Sequence, residues 1–256
     1  TTEIYTLSLH DVFRSPYRSL TKKLRTGGVM MSALVVSDSE IDADKIKKQL
    51  AEAKPYTSDE FTSQVSTKDP QSYGTEKDCV VIIDTGVKNA ILRNIRDLGY
   101  KVIKLPWNAS IDQVMSHKPK GVVLSNGPGD PEKCPQTIQT AKQLIEKNIP
   151  TLGICLGAQI LGLAGGATTY KLKYGHRGQN KSCLNLQNNQ VYVTSQNHGY
   201  CIDPNSLKDT DFDLWFTNTD DDTVEGIKHK KKKIIAVQFH PEASPGPLYG
   251  DRKSVV

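Results

Sequence analysis

Between residues 79 and 166 the chain alternates short apolar runs with stretches whose apolar residues recur at helical spacing. CVVIID (79–84) is apolar and bounded by charge, which predicts a buried strand. VKNAILRNIRDLG follows, with Val87, Ile91, Ile95 and Leu98 on one helical face and Gly99 as a stop. YKVIKLP (100–106) predicts a second strand. SIDQVMSHK predicts a helix with Ser110 as its N-cap and Pro119 as its end. GVVLSN (121–126) predicts a third strand, residues 132–148 a helix, PTLGIC (150–155) a fourth strand, and LGAQILGLAGG a short helix ending in a glycine pair. Such alternation implies an α/β fold: a mainly parallel sheet with helices on both faces. In open sheets of this kind ligands bind beyond the carboxyl ends of the strands. Two loops fall there, SNGPGDP (125–131) and the turn at Cys155.

The pattern changes from about residue 167. QVYVTSQNHGYCI, LWFTNT, TVEGIK and KIIAVQFH predict antiparallel strands added to the parallel sheet, which makes it mixed. Before residue 76, SLTKKLRTGG and IDADKIKKQLAE look helical and MSALVVS looks like a strand. PYTSDEFTSQVSTKDPQSYG is polar and turn-rich, hence a linker or loop. The expected organisation is a partial N-terminal α/β segment with linker (1–75), one large α/β domain (76–250) and a tail (251–256).

Charge and composition remove some function classes. The formal net charge of +5 owes much to one run, Lys228-His229-Lys230-Lys231-Lys232-Lys233. A run confined between two apolar strands reads as a solvated hairpin tip. Nucleic-acid binding needs basic residues spread over a face, so none is expected. No apolar run is long enough to span a membrane, and TTEIYTLSLHDVFRS lacks the layout of a signal peptide. A cytoplasmic location without membrane attachment is expected. The five cysteines, at 79, 134, 155, 183 and 201, include no CxxC pair. Reduced thiols are expected, with neither a disulfide framework nor a metal site.

GICLG (153–157) has the pattern of a nucleophile elbow, in which strand, sharp turn and helix present the middle side chain. Glycines at 153 and 157 are needed if neighbouring backbone packs close. A thiolate at a helix N-terminus is stabilised by the unpaired N–H groups and the dipole, and the same groups suit an oxyanion. The competing reading is a buried structural cysteine in a tight turn. His240, in QFHPEASPGP after an apolar strand, would be the base and Glu242 its partner, a Cys-His-Glu triad; alternatively His240 is an ordinary exposed loop histidine. SNGPGDP offers backbone N–H groups to an anion or carbonyl oxygen, but it lacks the P-loop and GxGxxG patterns; it is otherwise a tight turn before a helix. QNHGY (196–200) suits recognition of a polar substrate such as a free amino acid, or is a β-turn.

SNGPGDP, GICLGAQ, QNHGY and QFHPEASPGP, in that order, resemble the class I (triad) glutamine amidotransferases over about residues 76–250. PEASPGP, NHG after a glutamine, and YGHRGQN (174–180) are similar to the carbamoyl-phosphate branch of that family, the small glutamine-hydrolysing subunits of carbamoyl-phosphate synthases. The resemblance implies that Cys155 attacks the side-chain amide of L-glutamine to form a thioester and release ammonia. His240 would act as base and then acid, held by Glu242. Backbone N–H groups of Leu156 and Gly127 would form the oxyanion hole. Gly129, Gln159, Asn197, Gly199 and Tyr200 match positions that hold glutamine. Ammonia would pass to a large synthetase subunit, where ATP, Mg and bicarbonate are expected; this chain would carry no cofactor. SLTKKLRTGGVM is similar to the end of the family's N-terminal domain, and PGPLYG is followed by DRKSVV where the family has a last helix, so the resemblance implies a chain truncated at both ends, without most of that domain and the serine in it that helps bind glutamine. Ala158 stands where histidine is common in the family. The rival readings are another Cys-His-Glu hydrolase of this fold, a catalytically silent regulatory subunit, and a flavodoxin-like electron carrier, which gives no reason for the triad.

Overall fold

The structure, a computed structural model, describes residues 16–28, 30–33, 35, 38–39, 41–55 and 59–243. The chain divides into two compact units, Thr1–Asp59 and Glu60–Val256. The first contains the two predicted helices, α1 (Pro16–Gly27) and α2 (Ala43–Glu52). Asp42 starts α2, its carboxylate accepting from the backbone N–H groups of Asp44 and Lys45. The expected strand over 31–37 is not found at residues 31–33 and 35; its other positions lie outside the described residues.

The second unit is built on one ten-stranded mixed sheet. Its elements are α3 (Thr62–Val65), β1 (Gln71–Tyr73), β2 (Cys79–Asp84), α4 (Asn89–Asp97), β3 (Lys101–Pro106), α5 (Ile111–Ser116), β4 (Gly121–Leu124), α6 (Pro135–Glu146), β5 (Thr151–Ile154), α7 (Leu156–Ala164), β6 (Thr169–Asn185), β7 (Gln190–Ile202), β8 (Phe212–Asn218), β9 (Val224–His229) and β10 (Ile234–Val237). The order across the sheet is β1-β3-β2-β4-β5-β10-β9-β8-β6-β7. Strands β3, β2, β4, β5 and β10 are parallel, and every other pairing is antiparallel.

Period-2 alternation explains the layers. Along β2, Ile82 faces one side, where it packs with Ile91 and Leu92 of α4. Val81 and Ile83 face the other, with Val114 of α5, Leu144 of α6 and Ile160 of α7. Both faces of the parallel half are therefore covered, as expected. Each fully buried Leu or Ile contributes about 1.5–3 kcal/mol of transfer free energy. Leu98 departs from its expected role: it is 62% exposed, and Leu92 takes the buried place. Ser110 caps α5 in a reciprocal capping box with Gln113. Helix α6 begins at Pro135, later than expected, because a single 3-10 turn (Pro131–Lys133) precedes it.

Two further expectations change. The stretch 55–74 is not all loop, since it contains α3 and the edge strand β1, which pairs antiparallel with β3. QNHGY lies in the interior of β7, as the strand reading of QVYVTSQNHGYCI expects and the turn alternative does not. Its long partner β6 includes YGHRGQN, and two register irregularities interrupt the pairing. The lysine run does form the β9–β10 hairpin, yet His229 within it is buried. Its ring Nδ1 accepts from the backbone of Lys231 and Lys232. The ammonium of Lys232 caps the C-terminal end of α6 by donating to Ile145 O at 2.7 Å. All five cysteines are free and buried. No helix among the described residues is long and apolar enough to cross a membrane.

Candidate active site

Strand order creates the site. β5 and β10 are parallel neighbours in register Ile154↔Val237, so both chains leave the sheet on the same side. Cys155 follows β5 directly, and its backbone N–H donates to Val237 O at 2.9 Å. His240 follows β10, with its N–H donating to Ser195 O of β7 at 2.9 Å.

Cys155 adopts φ 54°, ψ −104° and is the N-cap residue of α7. This backbone is unusual for a residue with a side chain. It is held by glycines that no other residue replaces. A Cβ at Gly157 would lie 2.0 Å from Leu124 O, and one at Gly153 would lie 2.6 Å from Gly157 O. The backbone contacts expected around the elbow are therefore present, and they lock α7 against β4 and β5.

The thiol of Cys155 donates to Asn197 O at 3.9 Å. His240 and Glu242 are each only 8% exposed, so His240 is not an ordinary exposed loop histidine. Its Nδ1 donates to Glu242 Oε1 at 2.7 Å, because an ionised carboxylate only accepts. That leaves the other ring nitrogen for the Cys155 sulfur. Burial opposes a charged imidazole here, but hydrogen bonds to Cys155 and Glu242 outweigh it and push the His240 pKa up to about 9. Burial likewise opposes the charged form of Glu242. The hydrogen bond from His240 prevails and holds its carboxyl below the usual range, with help from Lys88. Lys88 Nζ lies 3.1 Å from Glu242 Oε1. Motif reading missed this lysine; it begins α4, and its place after β2 at the ligand-binding end of the sheet was the available signal.

The SNGPGDP loop is fixed by a small polar cluster. Thr85 N–H donates to Ser125 Oγ at 3.0 Å, and Thr85 Oγ1 donates to Ser125 O at 2.9 Å. Asn126 Nδ2 donates to Gly86 O at 3.1 Å and its Oδ1 accepts from Lys88 N–H at 3.1 Å. Gly127 sits so close to Thr85 that an added Cβ would be 2.1 Å from Thr85 O and 2.8 Å from Leu156 Cδ2. Gly127 and Leu156 are thus neighbours, the latter at the first position of α7. Gly129 has φ 97° and packs toward Phe61, where a Cβ would be 3.2 Å from the ring.

Gln159 is buried, and its amide nitrogen donates to Tyr200 O at 2.9 Å and Gln238 Oε1 at 3.0 Å. That nitrogen is committed to the protein, so the carboxamide oxygen is the atom left to offer. Along β7, Asn197 is exposed, Gly199 half-buried and Tyr200 buried. Gly199 lies against β6, where a Cβ on Gly175 would be 3.1 Å from its Cα. Ala158 is a buried core residue. The tail of the PEASPGP motif, 244–247, lies outside the described residues.

A buried thiol at a helix N-terminus, an imidazole held protonated beside it, and adjacent backbone donors form a device for acyl transfer through a thioester. Comparison with known proteins gives the family. Residues 81–251 match the model of the class-I glutamine amidotransferase family. The chain is 43% identical over 232 residues to the carbamoyl phosphate synthase small chain of Methanopyrus kandleri, covering 90% of this chain and 64% of that one. It is 46% identical over 235 residues to the protein of the same description from Methanocaldococcus jannaschii, covering 90% and 66%. The chain thus spans a little under two thirds of the length of these curated relatives. A crystal structure described as a GMP synthase component from Thermoplasma acidophilum superposes with a TM-score of 0.57 at 26% identity, over 66% of this chain and 87% of that one.

Proposed function

The chain belongs to the class-I glutamine amidotransferases, and from that premise we propose that it is the glutamine-hydrolysing part of a carbamoyl-phosphate synthase small subunit. The observation that carries the reading is Cys155 on its strained turn at the start of α7, with His240 and Glu242 buried beside it. The similarity to small chains over 90% of the sequence supports the choice of branch.

In the proposed reaction the Cys155 thiolate attacks the carboxamide carbon of L-glutamine. The oxyanion that forms lies between the N–H groups of Leu156 and Gly127. Collapse breaks the C–N bond while the His240 imidazolium gives its proton to the departing nitrogen, releasing ammonia and leaving a thioester. Water then attacks the thioester, His240 takes its proton, and the C–S bond breaks to give glutamate and the thiolate. Glu242 keeps the imidazole oriented and favours its charged form, with Lys88 steadying the carboxylate. Asn197, Gly199, Tyr200, Gly129 and the oxygen of Gln159 are the proposed contacts to the amino-acid end of glutamine. Ammonia is handed to a large synthetase subunit, the proposed home of the ATP, Mg and bicarbonate chemistry.

Alkylation by a glutamine-like affinity reagent tests this. Mass spectrometry is expected to find the adduct on Cys155, with glutamine protecting it, and Cys155→Ser is expected to abolish ammonia release. Labelling elsewhere, or full activity in the serine variant, overturns the mechanism.

A further inference from the structure

A second buried polar cluster lies in the antiparallel half of the sheet. His176 of β6 and His198 of β7 are direct cross-strand partners, with ring centroids 4.9 Å apart. Glu225 of β9 reaches between them. Its Oε1 is 3.3 Å from His176 Nδ1 and 3.8 Å from His198 Nε2. The three side chains are buried, and their ligand atoms lie within 4.8 Å of one another.

Hydrogen bonds on the far side of each ring fix which nitrogen faces inward. His176 Nε2 donates to Asp221 Oδ2 at 2.8 Å, so the neutral ring turns the lone pair of Nδ1 toward Glu225. His198 Nδ1 donates to Tyr200 O at 2.9 Å, so its Nε2 lone pair also points inward. Gln196 Oε1 lies 3.4 Å from that nitrogen. The centre is thus rich in acceptors. The donor aimed into it is Asn218 Nδ2, 3.2 Å from Glu225 Oε1 and 3.5 Å from His176 Nδ1, so one amide nitrogen is shared between two acceptors. Glu225 Oε2 is buried with no hydrogen-bond partner at standard distance among the described residues, and the buried Cys183 thiol is the nearby group that interacts with this carboxylate.

A buried carboxylate and two facing lone pairs need a cation. A proton on His176 satisfies only part of the cluster. It pairs Nδ1 with Glu225 Oε1 but leaves His198 Nε2 facing two oxygens and Glu225 Oε2 unpaired. A single divalent ion bound by both nitrogens and the carboxylate satisfies all of them. Imidazole nitrogens plus one carboxylate suit zinc and its neighbours. The outer partners Asp221 and Tyr200 O are the acceptors that orient ligating histidines.

We propose that His176, His198 and Glu225 form a binding site for one divalent transition-metal ion of the zinc class. The ion would tie β6, β7 and β9 together where the β6–β7 ladder is irregular. It would also anchor β7 through His198, between Asn197 and Gly199. The site does not depend on the amidotransferase reading.

The test uses the full chain, purified without a metal-binding tag, stripped of metal, and carrying Cys155→Ser so that the reactive thiol contributes nothing. Zn2+ alone is the probe. One equivalent retained after dialysis, a higher Tm with Zn2+, and a Co2+ d–d absorption without a thiolate charge-transfer band are expected. Glu225→Gln should abolish retention. Should that buried variant fail to fold, Asp221→Asn, at a half-exposed carboxylate, is read instead, with affinity reduced about 10–100-fold. No retention of Zn2+ or Co2+, a thiolate band, or unchanged affinity in Asp221→Asn overturns the proposal.

Discussion

The backbone at Cys155 can be tested apart from its chemistry by comparing Cys155→Ala with Cys155→Gly. Both remove the sulfur, so both lose the contact to Asn197 O and the pairing with His240. They differ in one methyl group and in what the backbone tolerates. At φ 54°, ψ −104°, a residue with a Cβ is held in a sparsely populated region, which costs about 1–3 kcal/mol. Glycine adopts such angles without that strain. Against this, glycine gives the unfolded chain more freedom, which costs about 0.4–1 kcal/mol. As an N-cap residue glycine is an acceptable choice. Glycine also gives up one buried methyl, which costs about 0.8 kcal/mol, so at mid-range values the balance favours glycine by about 0.5 kcal/mol, or a Tm about 1–2 °C higher for a domain of this size. At an ordinary helical position the sign is the reverse. Urea unfolding followed by tryptophan fluorescence, with calorimetry on the same samples, reads the difference. If alanine is more stable than glycine by the about 1–2 kcal/mol that those two costs alone give, the turn is unstrained and its φ has no energetic consequence.

Two other outcomes follow from the same site. His240 has a pKa raised to about 9 from 6.5, so its contribution to stability is fully present below pH 6.5 and is lost as pH rises through about 9; at about 1.36 kcal/mol per unit it is bounded by about 3.4 kcal/mol, and Glu242→Gln should bring the His240 titration seen by NMR part of the way back toward 6.5, the hydrogen bond to Cys155 holding the rest, whereas a titration unmoved from about 9 would remove Glu242 as a cause. Gly157→Ala should destabilise by about 1–3 kcal/mol although alanine favours helices, because its Cβ meets Leu124 O at 2.0 Å, and glutaminase activity should fall with it; a variant as stable as the parent would show that α7 is free to shift.

The parallel half of the fold was legible because its strands are buried on both faces and its helices on one. CVVIID and GVVL are continuous apolar runs, and the intervening helices show the helical period. In the antiparallel part β7, β8 and β9 were legible as strands, whereas β1 and β6 were not. Strand β1 is exposed at all three positions, so burial left no period to read. In β6 most residues before Lys181 are exposed or half-exposed, and two irregularities shift the alternation. QNHGY leaves a turn open when taken alone because Asn, His and Gly favour turns, but within QVYVTSQNHGYCI it reads as strand, and Gln196, His198 and Tyr200 alternate as its buried positions. The elbow was legible through its glycines, whose spacing matches backbone contacts at Gly153 and Gly157. Lys88 was not, since a lysine in a loop is ordinary and its partner Glu242 comes from a distant segment. The cluster around Glu225 did leave one signal: a carboxylate inside the apolar strand TVEGIK must be paired by something. Which histidines pair with it depends on the order β9-β8-β6-β7, and local spacing carries no record of that order.

The same topology explains why Cys155 and His240 are far apart in sequence and adjacent in space. After α7 the chain leaves the parallel sheet, builds β6 to β9, and returns as β10 beside β5. The inserted strands are therefore not an appendage to the triad. They deliver His240, and the Ser195–Asn197 stretch of β7 holds it on arrival through Ser195 O and contacts the thiol through Asn197 O. Register is the sensitive quantity. Side chains alternate with a period of 2, so a one-residue slip of β10 against β5 would turn its buried residues Ile234, Ala236 and Val237 and displace the loop that carries His240. The backbone pairing of Cys155 N–H with Val237 O resists that slip at the point where the two segments leave the sheet. The nucleophile and its base are thus aligned by a sheet hydrogen bond that is independent of the contacts between the triad side chains.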